Sequence, residues 1–295
     1  MKHRFLQYIC LGLFFAGSLS FLGALEIEFA GGVNNLTFHP QSELEYGEGN
    51  RRLQAYPYGL LNLIIRGDLS GILSYDISIE RDNILQNSIT GALITRTDNF
   101  RFEFGLFMGI SDKFDTPDMG FTGNIEFTLP GIGYLSLSGS STLGDYMAFT
   151  SNNRRETAEI KLGYWLLDNF ILTLSAETKS FTRHYGTPNL TAIRDQLTRY
   201  QFSIEYYDKN SPYTVRLDTG YETLSRAYTR GNRIPAKDEL NALFAGVELN
   251  WQITHPIRIK AGIEIPINIT PVAPLTVAPG LGFFKAYAGI TYSFF

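Results

Sequence analysis

Charged side chains recur at every second position through much of this 295-residue chain. Asp76 and Glu80 stand in GILSYDISIE, Arg101 and Glu103 in FRFEFGLFM, and Glu126 in FTGNIEFTL. Arg216 and Asp218 stand in YTVRLDTGY, and Arg258, Lys260 and Glu264 in IRIKAGIEI. Lys161, Glu177 and Glu205 follow the same rule in the segments 156–166, 170–182 and 197–207. Phe, Ile, Leu, Val and Tyr fill many of the positions between. Charges of both signs on one face of an extended segment can line an aqueous passage and tune its ion preference. They can also pair with one another and close the passage, so two readings stand side by side. The full set counts eleven acids: Glu26, Glu28, Asp76, Glu80, Glu103, Glu126, Glu159, Glu177, Glu205, Asp218 and Glu264. It counts seven bases: Arg101, Lys161, Lys179, Arg199, Arg216, Arg258 and Lys260. The excess of acid predicts a mild preference for cations in any pore these residues line.

Catalytic chemistry has thinner support. Beyond residue 24 the only histidines are His39, His184 and His255. His39 and His184 are expected at an outer rim with Asp98 and Asp195, where an Asp/His pair would activate water. No G-x-S-x-G and no H-E-x-x-H occurs. A rim histidine is an ordinary solvated loop residue, so no enzyme, cofactor or metal site is expected.

The elements that carry these residues are strands. Apolar and polar residues alternate with a period of two, and three-and-four spacing nowhere persists. Strands are expected at 25–38, 56–66, 71–81, 99–110, 118–129, 133–142, 145–151, 156–166, 170–182, 197–207, 213–223, 240–253, 257–266 and 283–295. That makes fourteen, or twelve if 133–151 is one irregular loop. Many of these segments match the 9–11 residues that a tilted strand needs to cross a bilayer. Long polar links are expected at 39–55, 82–98, 183–197, 224–239 and 267–281. Short links are expected at 67–70, 167–169, 208–212 and 254–256, with a medium one at 111–117. Links that alternate in length fit an antiparallel barrel with two unlike rims. In lipid every backbone polar group needs an internal partner, so a sheet can span only when closed. The fold expected is therefore an all-β, closed antiparallel transmembrane barrel with its apolar face outward.

Charged residues are 18 % of the chain and aromatic ones 14 %, against a usual charged share of about 25 %. MKHR followed by the uncharged FLQYICLGLFFAGSLSFLG reads as a secretory leader, with cleavage expected after Ala24. A membrane anchor over 5–25 is the other reading of that stretch. The expected organisation is a leader over 1–24 and one barrel domain over 25–295. Cys10 is the only cysteine, so the barrel domain carries no disulfide. Without residues 1–24 the charge is 23 − 29 = −6, which disfavours nucleic-acid binding. Tyr56, Tyr58, Tyr164, Tyr200, Tyr206, Tyr213, Trp251 and Tyr292 fall near expected strand ends, where membrane interfaces favour Tyr and Trp.

The leader, the alternating chain and the terminal KAYAGITYSFF together resemble the bacterial outer-membrane β-barrel class. The resemblance implies an outer-membrane location in a diderm bacterium, surrounding lipid as a partner, and a C-terminal strand read by the insertion machinery. Phe295 matches that signature. The better apolar stripe is Phe284, Ala286, Ala288, Ile290, Tyr292 and Phe294, one residue out of phase. The leading expectation for function is a passive pore for small solutes. The alternatives are a transporter of hydrophobic substrates of the long-chain fatty-acid type, and a structural or adhesive surface protein acting through long outer loops. The fatty-acid type opens with a lumen-plugging hatch, for which LEIEFAGG leaves no room.

Overall fold

The computed structural model describes residues 23–34, 56–67, 70–80, 84–111, 118–142, 153–187, 190–208, 211–229, 236–272 and 285–294. They form fourteen strands: β1 (Gly23–Asn34), β2 (Tyr56–Gly67), β3 (Ser70–Glu80), β4 (Ile84–Arg96), β5 (Phe100–Ser111), β6 (Asp118–Leu129), β7 (Gly133–Thr142), β8 (Asn153–Leu166), β9 (Phe170–Thr187), β10 (Leu190–Tyr207), β11 (Tyr213–Thr229), β12 (Ala236–Thr254), β13 (Ile257–Val272) and β14 (Lys285–Phe294). Each pairs antiparallel with its sequence neighbour, and β1 pairs with β14 to close the barrel. Leu25 stands opposite Phe294 and Asn34 opposite Lys285 across that closing seam. Residues 1–22 of the expected leader over 1–24 lie outside the described residues, and β1 begins at Gly23, ahead of the expected cut.

The strand count agrees with expectation, but two of its parts do not. The link expected at 82–98 is mostly β4, paired with β3 and β5. The strand expected at 145–151 lies outside the described residues, and β7 pairs directly with β8, which leaves no place for it. The two errors cancel in the count. Between them they invert the rims. The link 97–99 shares its rim with 130–132, 167–169 and 255–256, and 112–117 belongs to the opposite rim. Asp98 is therefore placed at the short-link rim, away from the end of β9 that holds His184.

Turn chemistry explains the short rim. Ile132 N–H donates to Leu129 O at 3.0 Å, and Gly131 sits at φ 74° after Pro130. Proline first and a left-handed glycine second is the type II turn. The 167–169 turn places Leu167 at φ 59°, a region that costs a residue with a Cβ.

The outer face is apolar. Phe100, Phe102, Phe104 and Leu106 of β5 are exposed, whereas Arg101 and Glu103 between them are partly covered. Exposed large apolar residues recur around the barrel at Ile125, Leu162, Leu174, Leu217, Leu249, Ile263 and Ile290. Aromatic rings pair near the short rim: Phe170 with Tyr206 at 5.3 Å, Tyr213 with Trp251 at 6.0 Å, and Tyr292 with Phe294 at 4.5 Å. Ile290, Tyr292 and Phe294 point outward as the stripe predicts, and Phe295 lies outside the described residues.

Strands β9 to β13 hold 16 to 19 residues, against 10 to 14 in the others. Much of the expected links 183–197, 224–239 and 267–281 is thus strand. On the outer face of β9 to β12, Leu174, Tyr200, Tyr221 and Leu243 are the last large apolar residues before the chemistry changes. Above them stand Thr178 and Ser180, Thr198 and Gln196, Thr223 and Ser225, and Asn241 and Glu239. The nine residues from Tyr213 to Tyr221 rise about 20 Å along a tilted strand, close to the ~25 Å apolar band of such barrels. Above that level the outer face of β9 to β12 is polar.

Candidate functional site

The inner face is concave, so side chains converge there and can meet across several strands. Arg199 of β10 reaches Glu264 of β13, with Nη2 donating to Oε2 at 2.5 Å and Nη1 to Oε1 at 2.9 Å. Its Nη1 also donates to Glu222 of β11 at 3.2 Å, and its Nε to Gln201 at 3.1 Å. The guanidinium lies 3.8 Å from the centre of the Phe244 ring, a cation–π geometry. Glu177 of β9 and Glu222 flank Arg199 directly in register.

A second hub lies nearer the short rim. Glu248 of β12 accepts from Arg216 at 3.1 Å, from Asn250 at 3.2 Å and from the hydroxyl of Tyr287 of β14, and pairs with Lys260 of β13 at 3.2 Å. Asp218 joins the hubs. It accepts from Arg216 Nε at 3.0 Å and from Gln201 Nε2 at 2.9 Å, while Gln201 receives Arg199. Glu205 stands opposite Arg216 in register. The result is one connected charge network over β10 to β14. Its centres Arg199, Asp218, Glu222, Glu248 and Glu264 are all buried. Each of these buried charges has a partner, which offsets the cost of taking it out of water.

The wall formed by β5 to β9 is built otherwise. Its ion pairs link residues two apart on one strand: Arg101 with Glu103 at 3.0 Å, Lys161 with Glu159 at 2.8 Å, and Lys179 with Glu177 at 2.8 Å. Hydroxyls make the contacts between strands. Ser136 donates to Asn124 at 3.0 Å, Ser138 to Glu159 at 3.5 Å, and Ser140 shares a bond with Thr157 at 2.8 Å. Glu126 stands opposite Arg101 in register.

Of the residues proposed from sequence, Arg216, Asp218, Lys260 and Glu264 meet in the β10–β14 network, with Glu205 beside Arg216. Arg101, Glu103, Lys161 and Glu177 lie in the separate pairs of the other wall. Arg258 is exposed near the 255–256 turn and donates to Gln252 at 3.2 Å. Asp76 and Glu80 belong to β3, and their side chains lie outside the described residues. His255 is exposed in the β12–β13 turn, His39 lies outside the described residues, and so do the side chains of His184 and Asp195.

Sequence reasoning missed Glu222, Glu248, Gln201, Phe244 and Tyr287. Glu248 was findable, since Val247, Leu249 and Trp251 are apolar and exposed around it. Phe244 and Tyr287 are aromatic residues on the polar face, where polarity gives no signal. Part of the inner surface is itself apolar. Ala92 and Ile94 of β4 are buried, and Ile64 and Ile72 share their row through Ala92.

Neither a protein-family model nor a curated protein matches the sequence. Among solved structures the chain is similar to a bacterial polysaccharide outer-membrane secretin, at 9 % identity over 92 % of this chain and 97 % of that one, with a TM-score of 0.47. It is similar to an outer-membrane channel from Pseudomonas putida F1, at 10 % identity over 92 % and 96 %, with a TM-score of 0.47. It is also similar to a porin, at 9 % identity over 92 % and 100 %, with a TM-score of 0.42. At these values the likeness is one of barrel shape, and it assigns no role to any residue of the inner wall.

Proposed function

We propose that this barrel is a passive outer-membrane pore for small hydrophilic solutes, with cations favoured over anions. The observation that carries the reading is water access to inward charges. Lys161 and Lys179 keep 41 % and 51 % of their side-chain surface open although both face the lumen and both are ion-paired. Among the described residues no large side chain is fully buried. Fourteen strands about 4.8 Å apart and tilted near 40° enclose a round section about 28 Å across between backbones. That is wider than the eight-strand barrels whose side chains fill the interior.

Selectivity follows from charge. Arg199 is the base set among Glu177, Glu222 and Glu264, and it offsets a surplus of carboxylate. In planar bilayers the protein is expected to open stepwise conductances and, under a salt gradient, to give a reversal potential of cation sign. Arg199→Gln is expected to move that potential further toward cations. A folded barrel that never conducts sinks the reading; an anion-signed potential sinks the selectivity. The apolar belt takes outer-membrane lipid as its partner, the strand at 285–294 is offered to the insertion machinery, and the leader is removed after Ala24. Mass spectrometry of the mature N-terminus checks that cut.

The tall wall favours a second role. Strands β9 to β13 rise beyond the apolar belt with a polar outer face, where Arg194 donates to Ser180 at 3.3 Å, a surface suited to contact outside the membrane. Loss of cell-surface binding on shortening 183–194, with conductance intact, supports that role; unchanged binding removes it.

A further inference from the structure

Two tyrosines on the inner face share one arrangement. Tyr134, Gly163 and Thr173 occupy one cross-strand row through β7, β8 and β9. The Tyr134 ring lies over Gly163, and its hydroxyl meets Thr173 Oγ1 at 3.2 Å. Tyr287, Gly262 and Glu248 occupy one row through β14, β13 and β12. The Tyr287 ring lies over Gly262, and its hydroxyl donates to Glu248. Each ring crosses the middle strand at a glycine and is tied down on the strand beyond.

The glycines are needed for the rings. A Cβ at Gly262 would stand 2.5 Å from Cζ, 2.6 Å from Oη and 2.7 Å from Cε1 of Tyr287. At Gly163 the three nearest atoms all belong to the Tyr134 ring and are closer than any contact allows. In both places the three nearest atoms all belong to the tyrosine. Phe107 over Gly120 and Phe244 over Gly220 are cross-strand pairs of the same kind, but a backbone carbonyl crowds those glycines as well and phenylalanine has no hydroxyl to anchor.

We propose that these tyrosine straps set the free width of the lumen, and so its size limit for solutes. The proposal rests on the pore reading above. A tyrosine pointing inward would stand up into the passage. Over a glycine, with its hydroxyl held two strands away, it lies along the wall and takes little of the opening. The two straps lie on different walls, so the effect is spread around the section.

The test is single-channel conductance of the full chain in planar bilayers. A methyl at Gly163 or Gly262 lifts the ring from the wall. Gly163→Ala and Gly262→Ala are each expected to lose on the order of one tenth of the conductance, about the share of a side-chain-lined lumen of this section that one upright ring fills. Adding Tyr134→Ala to Gly163→Ala is expected to restore it. Wild-type conductance in both glycine variants overturns the proposal. If a glycine variant does not insert, Tyr134→Ala alone decides. A ring lying flat leaves conductance within wild-type scatter, and a large gain overturns the proposal. If the wild type does not conduct, the pore reading falls and the straps are read separately. In a Cys10→Ser background, Lys161→Cys faces the lumen two residues from Gly163. A bulky charged thiol reagent is expected to label it more slowly when Gly163→Ala is added, and an unchanged rate overturns the straps.

Discussion

The two inner walls solve one problem in different ways. Both present apolar side chains to lipid and must place polar groups inside. The β10–β14 wall uses long charged residues tied into one network across five strands. The β5–β9 wall uses Ser, Thr and Asn joined strand to strand, with its charges paired along single strands. The difference shows where cooperativity resides. Removing one member of the network strands several partners, whereas removing one hydroxyl strands at most one.

That contrast orders the expected effects. Glu248→Ala leaves Arg216, Lys260 and Tyr287 without their common acceptor, and is expected to cost about 3–5 kcal/mol, the range for breaking a buried ion pair. Urea unfolding in detergent or vesicles measures it, and a loss below that of a serine deletion would erase the contrast. Phe104→Arg tests what the walls share. Phe104 is 63 % exposed on the outer face, and an arginine at mid-bilayer costs about 2–4 kcal/mol. Glu103→Arg, on the inner face of the same strand, is expected to be far milder in the same folding assay. Ser140→Ala removes one bond to Thr157 and is expected to cost about 0.5–1.5 kcal/mol; a larger value would mean that this wall is networked too. Smallest is Leu167→Gly at the short rim. It relieves a left-handed residue and is expected to gain roughly 1 kcal/mol, visible as a raised urea midpoint.

Much of the barrel was legible because a lipid-facing strand must alternate. The segments FRFEFGLFM and YTVRLDTGY announce β5 and β11, and the outward stripe of β14 was assigned residue by residue. Strand β4 was hidden for a physical reason. ILQNSITGALITR carries Ala92 and Ile94 on the inner face and only Gly91, Leu93 and Thr95 opposite them, so the period of two fades. Missing it inverted the rim of everything from 99 to 142. The height of β9 to β13 was hidden because alternation ends where lipid ends. Above Tyr200 and Tyr221 the outer face turns to Thr198, Gln196, Thr223 and Ser225, and a wet strand reads like a loop. Individual lumen charges were visible from parity. The Arg199–Glu264 contact was not, since it depends on curvature bringing β10 and β13 together.

The seam between β1 and β14 has a consequence in time. Its ten residue pairs join positions from opposite ends of the described chain, Leu25 with Phe294 and Asn34 with Lys285. Every other seam joins strands adjacent in sequence and can form as a local hairpin. Closing the last seam carries the loop entropy of nearly the whole chain, a logarithmic but unavoidable cost, and contacts of such separation slow folding. Until residues 285–294 have been made and delivered, β1 and β13 are both open edges, able to pair with any other strand. The chain must therefore travel to its membrane with two sticky margins held apart, and it becomes safe only when its final strand docks.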